Sequence, residues 1–376
     1  MDIDTIYNSI FEARLAGRYI ALRHLTPLLK DYQKLGMVST LGTSENGNPI
    51  YAIRVGHGPK KVLAWSQMHG NESTTTKALF DFLNFLIHPN GQPQVQEILS
   101  KHSFLFIPLL NPDGAEAYTR ENARGIDLNR DAVNQSQKES KVLRRAFEDF
   151  KPHVCLNLHG QRTFYSLPGK KPASLSFLAP AADADRTLTP SRKEAMLGIA
   201  KMNAFLQGHL PGQIGRYDDS FNDNCVGDSF QKAGVPTILF EAGHCPGDYQ
   251  REQTRKFLFY AFLSLFGMET VGVNVQVEDY FKIPENEKNF RDVILRKVVI
   301  GGELMDIAIQ YKEVLQDGVV VWEPYIDEFG DLQALFGHRE LEFGGNQILI
   351  NSNENVFVNE KIATIVDKSS EKIIKI

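Results

Sequence analysis

Between residues 61 and 266, short apolar runs alternate with longer amphipathic stretches, and this alternation limits the chain to few folds. Lys61–Ser66, Ser103–Leu109, Val154–Leu158 and Val235–Phe240 read as strands, being brief and dominated by residue types that are usually buried. Residues 72–87, 137–150, 191–207 and 250–266 read as helices. The first places Leu79, Phe82, Leu83 and Leu86 at helical spacing, and Pro89 with Gly91 is expected to stop it. Strands alternating with helices predict an α/β fold with a mainly parallel sheet, whose ligands sit at the carboxyl ends of strands. His69, His159 and Glu241 each fall just past a predicted strand end.

The flanking regions read differently. Residues 5–33 are expected to be helical, with Ile6, Ile10, Phe11, Leu15 and Ile20 on an apolar face. Gly47-Asn48 predicts a turn between extended segments Val38–Leu41 and Ile50–Val55. After about residue 270 the stretches Val293–Ile300, Val319–Trp322, Gln347–Asn351 and Lys361–Val366 are β-rich and separated by Gly, Asn and Asp turns. Two domains are therefore expected, residues 1–269 and a small β-rich appendage over 270–376. The alternative is an extension of the same sheet.

Composition narrows the partners. At 376 residues the chain exceeds a typical domain of roughly 100–200 residues. A net charge of -5 without a basic run argues against nucleic acid, which needs clustered Lys and Arg to neutralise phosphates. No run approaches the roughly 18 apolar residues of a membrane span, and Met1-Asp2-Ile3-Asp4 lacks the basic and apolar regions of a secretory signal. Cys155, Cys225 and Cys245 are odd in number and widely spaced, which fits a reduced protein. A cytoplasmic location is expected; oligomeric state stays open.

The chemistry lies in the strand-end residues. Zinc takes imidazole nitrogen and carboxylate oxygen, and a catalytic zinc uses three protein ligands plus an open position. His69 and Glu72, three residues apart at a strand-to-helix junction, can converge on one ion. The plainer reading of Glu72 is an acid complementing a helix dipole. A third ligand must come from elsewhere, and His159 in Asn157-Leu158-His159-Gly160 supplies it, with His244 as the competitor. Glu241 ends an apolar strand, where a carboxylate can carry a proton from water to a leaving amine. Capping of a following helix is its bland alternative. Arg120 and Arg130 can bind carboxylates or stabilise an oxyanion, although a lone arginine is more often a surface ion pair.

The segments His69–Glu72 (HGNE), Asn111–Gly114 (NPDG), Arg120–Asp131 (RENARGIDLNRD), Asn157–Gly160 (NLHG) and Thr237–Gly243 (TILFEAG) together resemble the M14 zinc carboxypeptidase family over approximately residues 60–265. The resemblance implies an α/β/α sandwich around a mixed eight-stranded sheet. It implies one zinc ion per chain on His69, Glu72 and His159, and Glu241 as general base. It further implies Arg120 as oxyanion donor, Asn129 and Arg130 as holders of the substrate's terminal carboxylate, and Tyr217 as the family's mobile tyrosine in preference to Tyr165 or Tyr249.

The expected activity is hydrolysis at the C-terminal end of a peptide. Two alternatives stay open: a deacylase of N-acyl amino acids, related to aspartoacylase, and a hydrolase of cell-wall peptides. All three take a substrate with a free carboxylate. Asp218, Asp219, Asp223 and Asp228 could favour a basic terminal residue or form a solvated acidic loop, and Arg162 could meet an acidic group.

Overall fold

Strands β1 (Val38–Thr43), β2 (Pro49–Gly56), β3 (Lys60–Ser66), β4 (His102–Ile107) and β5 (Val154–Gly160) come first along the chain. The computed structural model describes residues 3–88, 93–267 and 274–376. A two-residue pair, β6 (Ser166–Leu167) and β7 (Lys171–Pro172), follows; then come β8 (Leu175–Leu178), β9 (Ile214–Arg216) and β10 (Thr237–Ala242). All but β6 and β7 join one eight-stranded sheet in the order β1-β2-β4-β3-β5-β10-β8-β9. Its centre, β4-β3-β5-β10, is parallel, while β1-β2, β2-β4 and β10-β8 pair antiparallel. The sheet is thus mixed, as expected.

Period-two alternation builds the layers. On β3, Val62 and Ala64 join one core while Leu63 and Trp65 join the other. The first core packs under α1 (Ile3–Ile10), α2 (Leu22–Lys34), α3 (Thr74–Ile87), α4 (Pro93–Lys101), α7 (Pro190–Leu206) and α9 (Glu252–Phe266). The second packs under α6 (Lys138–Phe150) and α8 (Val226–Lys232). Short α5 (Pro112–Ala117) and α10 (Val277–Phe281) complete an α/β/α sandwich.

The N-terminal expectation needs correction. Residues 5–33 are two helices broken between Phe11 and Ala21, not one helical region. The break follows from buried charge. Arg255 and Asp81, both fully buried, form a two-pronged ion pair at 2.6 Å and 2.6 Å. Arg255 also donates to the carbonyls of Leu15 and Glu12, and the Glu12 amide donates to Asp81. These backbone groups are taken from helix formation, and Gly17 sits at a left-handed φ of 79°. The proposed stop at Pro89 and Gly91 lies outside the described residues.

Two compact units emerge, Met1–Gln161 with Ala173–Asn286, and Arg162–Pro172 with Glu287–Ile376. The expected junction at 269/270 falls outside the described residues. The second unit has its own sheets rather than extending the first. One is β13-β12-β11-β14, built from β11 (Phe290–Ile300), β12 (Glu303–Gln316), β13 (Val319–Gly330) and β14 (Phe336–Glu342). The other is β15 (Ile348–Ile350), β16 (Ile365–Asp367) and β17 (Lys372–Ile373). Val293, Leu295, Ile307, Ile309, Ile326, Ile348 and Ile350 fill its core. The β6–β7 segment joins by backbone: the amides of Ser166 and Glu287 each donate to the other's carbonyl, at 2.8 and 3.0 Å. Among the described residues no helix is long and apolar enough to cross a membrane.

Candidate metal centre

Beyond β3 the chain turns at Gln67, with a left-handed φ of 44°, and delivers His69 to the top of the sheet. Gly70 follows because nothing larger fits: a Cβ there would lie 2.0 Å from the Gly114 carbonyl carbon and 2.2 Å from the Ala115 amide nitrogen. Asn111 caps α5 by accepting from the Gly114 amide at 2.8 Å. Two motifs far apart in sequence, HGNE and NPDG, are therefore one packed unit whose backbone contact sets the position of His69.

Three potential donors converge. One ligand atom each from His69, Glu72 and His159 lies within 4.8 Å of the others. His69 Nδ1 is 2.9 Å from Glu72 Oε1 and 3.1 Å from His159 Nδ1, which lies 3.0 Å from Glu72 Oε2. The Gly160 amide donates to the same Glu72 oxygen at 3.0 Å and fixes the carboxylate. Two ring nitrogens this close cannot both present a proton, so a shared cation suits the group better than hydrogen bonds alone. Borderline nitrogen and oxygen donors in threes fit zinc.

Asp127 gives the supporting contact. Its Oδ1 lies 3.0 Å from His69 Nε2, so the ring donates there and turns its other nitrogen toward the donor group. Arg120 grips Oδ2 of Asp127 through Nε and Nη2 at 3.1 and 3.0 Å, and aims Nη1 at His69 Nδ1 (3.2 Å) and Glu72 Oε1 (3.4 Å). Burial disfavours charge on His69, but Glu72 and Asp127 outweigh it and raise its pKa to about 9. Burial likewise opposes ionised Glu72, yet His69 and His159 hold it well below the usual carboxylate range. The local field favours a cation, whether proton or metal.

Glu241 stands in register with His159 across the parallel β5–β10 pair. Both point to the α6/α8 side, since Phe240 and Leu158 belong to the opposite core. Burial, then the charge of Glu72, pushes the Glu241 carboxyl well above the ordinary range. Its Oε2 is buried without a hydrogen-bond partner among the described residues. A carboxyl so placed can hold a proton at neutral pH.

The remaining candidates are less tightly gathered. Asn129 and Arg130 follow Asp127 on a one-turn 3₁₀ helix, Leu128–Arg130. Asn129 Oδ1 accepts from the Val226 amide at the start of α8 (3.0 Å). Exposed Arg130 donates to the Asn129 carbonyl at 2.8 Å and lies 3.1 Å from Cys225 Sγ. Tyr217 follows edge strand β9, three strands from His159, with its amide bonded to the Phe177 carbonyl. His244 is buried beside the Tyr249 ring, 4.6 Å between centroids, and is absent from the converging group.

The acidic loop is mostly tied up in local structure. Asp219 pairs with Arg192 and Arg186, Asp223 pairs with Lys232, and Asp218 accepts from Ser220. Asp228 differs, because burial pushes its carboxyl up to about 7. Between about pH 4 and 7 the folded chain keeps a proton there that the unfolded chain has released. Stability should therefore fall as pH rises through that window, by at most about 1.4 kcal/mol per unit. Asp228→Asn is expected to remove this slope. Urea denaturation at a series of pH values checks it; parallel curves for variant and wild type would refute it.

Fold and site together define an α/β domain built to hold a metal ion beside a buried carboxyl. Residues 22–204, just under half of the chain, match the sequence model of the zinc carboxypeptidase family, M14. The match ends before Glu241. Carboxypeptidase SOL1 of Arabidopsis thaliana is 26% identical over 175 residues, covering 41% of this chain and 36% of the relative. The chain thus spans about a third of that relative's length. A metallo-carboxypeptidase of Burkholderia cenocepacia superposes with a TM-score of 0.53 at 17% identity, covering 66% of this chain and 68% of the other. One of Pseudomonas aeruginosa does so at 0.52 and 18%, with the same coverage. These two likenesses establish the fold.

Sequence reasoning quoted Asp127 inside a motif but gave it no role. A signal existed: a metal-binding imidazole needs an acceptor for its second nitrogen, and an acid within a motif loop is the natural place to look.

Proposed function

We propose that the chain is a zinc-dependent exopeptidase that removes the C-terminal residue of a peptide. The observation supporting it most is the convergence of His69, Glu72 and His159 beside a buried carboxyl with an unpartnered oxygen. These three residues would hold one zinc ion, which when bound supplies Lewis-acid chemistry. Glu241 takes a proton at Oε2 from the attacking water and returns it to the leaving nitrogen as the C–N bond breaks. Arg120 Nη1, steered by the Asp127 fork, donates to the carbonyl oxygen as negative charge grows there. Asn129 and Arg130 bind the terminal carboxylate, and Tyr217 closes over it.

Removing metal tests the reading. Chelation should lower hydrolysis of a free-carboxylate peptide by at least about 100-fold, and stoichiometric zinc should restore it. A C-terminally amidated peptide should be a poor substrate in the same assay. Unchanged turnover after verified metal removal would discard the metal mechanism. Equal rates on amidated and free peptides would discard the exopeptidase specificity.

A further inference from the structure

The second unit holds a pocket of about 240 Å³ lined by Arg162, Phe164, Lys288, Arg291, Gln310 and Asp327. Three cations face it against one carboxylate, and they are not equivalent. Arg291 is engaged by Asp327 and Glu328 at 2.5 and 2.7 Å. Arg162 and Lys288 are exposed and form no ion pair among the described residues; Arg162 rests over the Phe164 ring, 5.5 Å from its centroid. Arg162 and Lys288 therefore stand at the pocket as two cations with no ion-pair partner among the described residues.

Gln310 supplies the second, independent observation. It is 91% buried, and its Nε2 donates to Asp292 Oδ2 and Thr163 Oγ1. The amide nitrogen is thus spent on that side, and Oε1 is the other end of the amide. Oε1 is buried with no partner among the described residues. A buried acceptor of this kind calls for a donor.

A ligand that answers both features carries a carboxylate for Arg162 and Lys288 and a nearby N–H for Gln310. An acidic residue in a peptide has this pairing, its own amide lying a few bonds from its side-chain carboxylate. We infer that the Arg162–Lys288–Gln310 pocket binds an aspartate or glutamate residue of a peptide. All six lining residues belong to the second unit, so the inference stands on that unit alone and goes beyond the proposed peptidase activity.

The test is a binding measurement on the full chain with C-terminally amidated pentapeptides, identical except for one internal Glu, Gln or Lys, followed by fluorescence anisotropy. The Glu peptide should bind about tenfold more tightly than its Gln counterpart, as expected for one charge-assisted contact, and salt should erode the difference. Arg162→Ala and Lys288→Ala should each remove most of the preference, and Arg162→Glu should shift it toward the Lys peptide. Both side chains are exposed, so a folded variant is expected, and circular dichroism confirms it. Equal binding of Glu and Gln peptides by the wild type overturns the inference, as does an unaltered preference in the variants. A free C-terminal carboxylate that binds in place of the internal Glu overturns it too, by showing that the pocket reads chain ends. Because the probes are amidated and no bond is broken, the binding result is independent of the peptidase reading, which fails separately if free-carboxylate peptides go unhydrolysed.

Discussion

Glu241→Gln is expected to lower kcat by about 10²–10⁴-fold, the usual contribution of a positioned general base, with KM little changed. The argument rests on what the substitution leaves alone. Glutamine matches glutamate in shape, and no described residue bonds to Glu241 Oε2. Glu241 is also outside the converging donor group, so zinc content should be unaffected. Burial already holds its carboxyl well above the ordinary range, which means that an ionised Glu241 is costly to the fold. The variant should consequently melt at the wild-type temperature or above it. Steady-state kinetics, metal analysis and a thermal melt on one preparation separate the cases. Near-normal turnover with zinc bound would remove Glu241 from the mechanism, whereas lost zinc would make it a ligand.

Asp81→Ala should destabilise the chain by about 3–5 kcal/mol, the typical consequence of stranding a fully buried partner charge. Arg255 would keep the Leu15 and Glu12 carbonyls and a single 3.1 Å contact with the partly exposed Glu252, but lose both prongs of its only fully buried ion pair among the described residues. The Glu12 amide would lose its acceptor as well. Burial raises the Asp81 carboxyl above its ordinary value even beside Arg255, which shows how large the desolvation cost is. Removing both charges should therefore hurt less than removing one. Asp81→Leu combined with Arg255→Met is predicted to recover a substantial part of the loss in chemical denaturation. A double variant as unstable as the sum of the single ones would mean that the pair acts through packing and not through charge.

What could be read from the sequence follows a physical line. The central strands were legible because each is an apolar run of sufficient length, and β3, β5 and β10 appear where those runs stand. The donors His69, Glu72 and His159 were legible because parallel strands end on one side of a sheet. Strands β8 and β9, four and three residues long, are too short to carry a periodic signal. The break after Ile10 was hidden for another reason. Leu15 and Ile20 do go to the core, as the pattern requires, but Arg255, some 240 positions away in sequence, removes the backbone carbonyls a helix would need. Asp127 escaped a role because its partner, His69, is 58 residues distant. The loop acids left two readings open, since ion pairs to Arg192 and Lys232 cannot be seen in a local charge count.

The second unit is assembled from two separate stretches of chain, 162–172 and 287–376, so three peptide links rather than one connect it to the first. Modular editing is thereby constrained. Deleting everything after residue 286 would strip β6 of Glu287, its backbone partner, and leave the Phe164 carbonyl without the Phe290 amide. Expressing 287–376 alone would omit the strand pair that completes the unit. Neither piece keeps every one of these backbone pairings. The smallest segment that can be moved into another protein with all its strands paired is the uninterrupted chain.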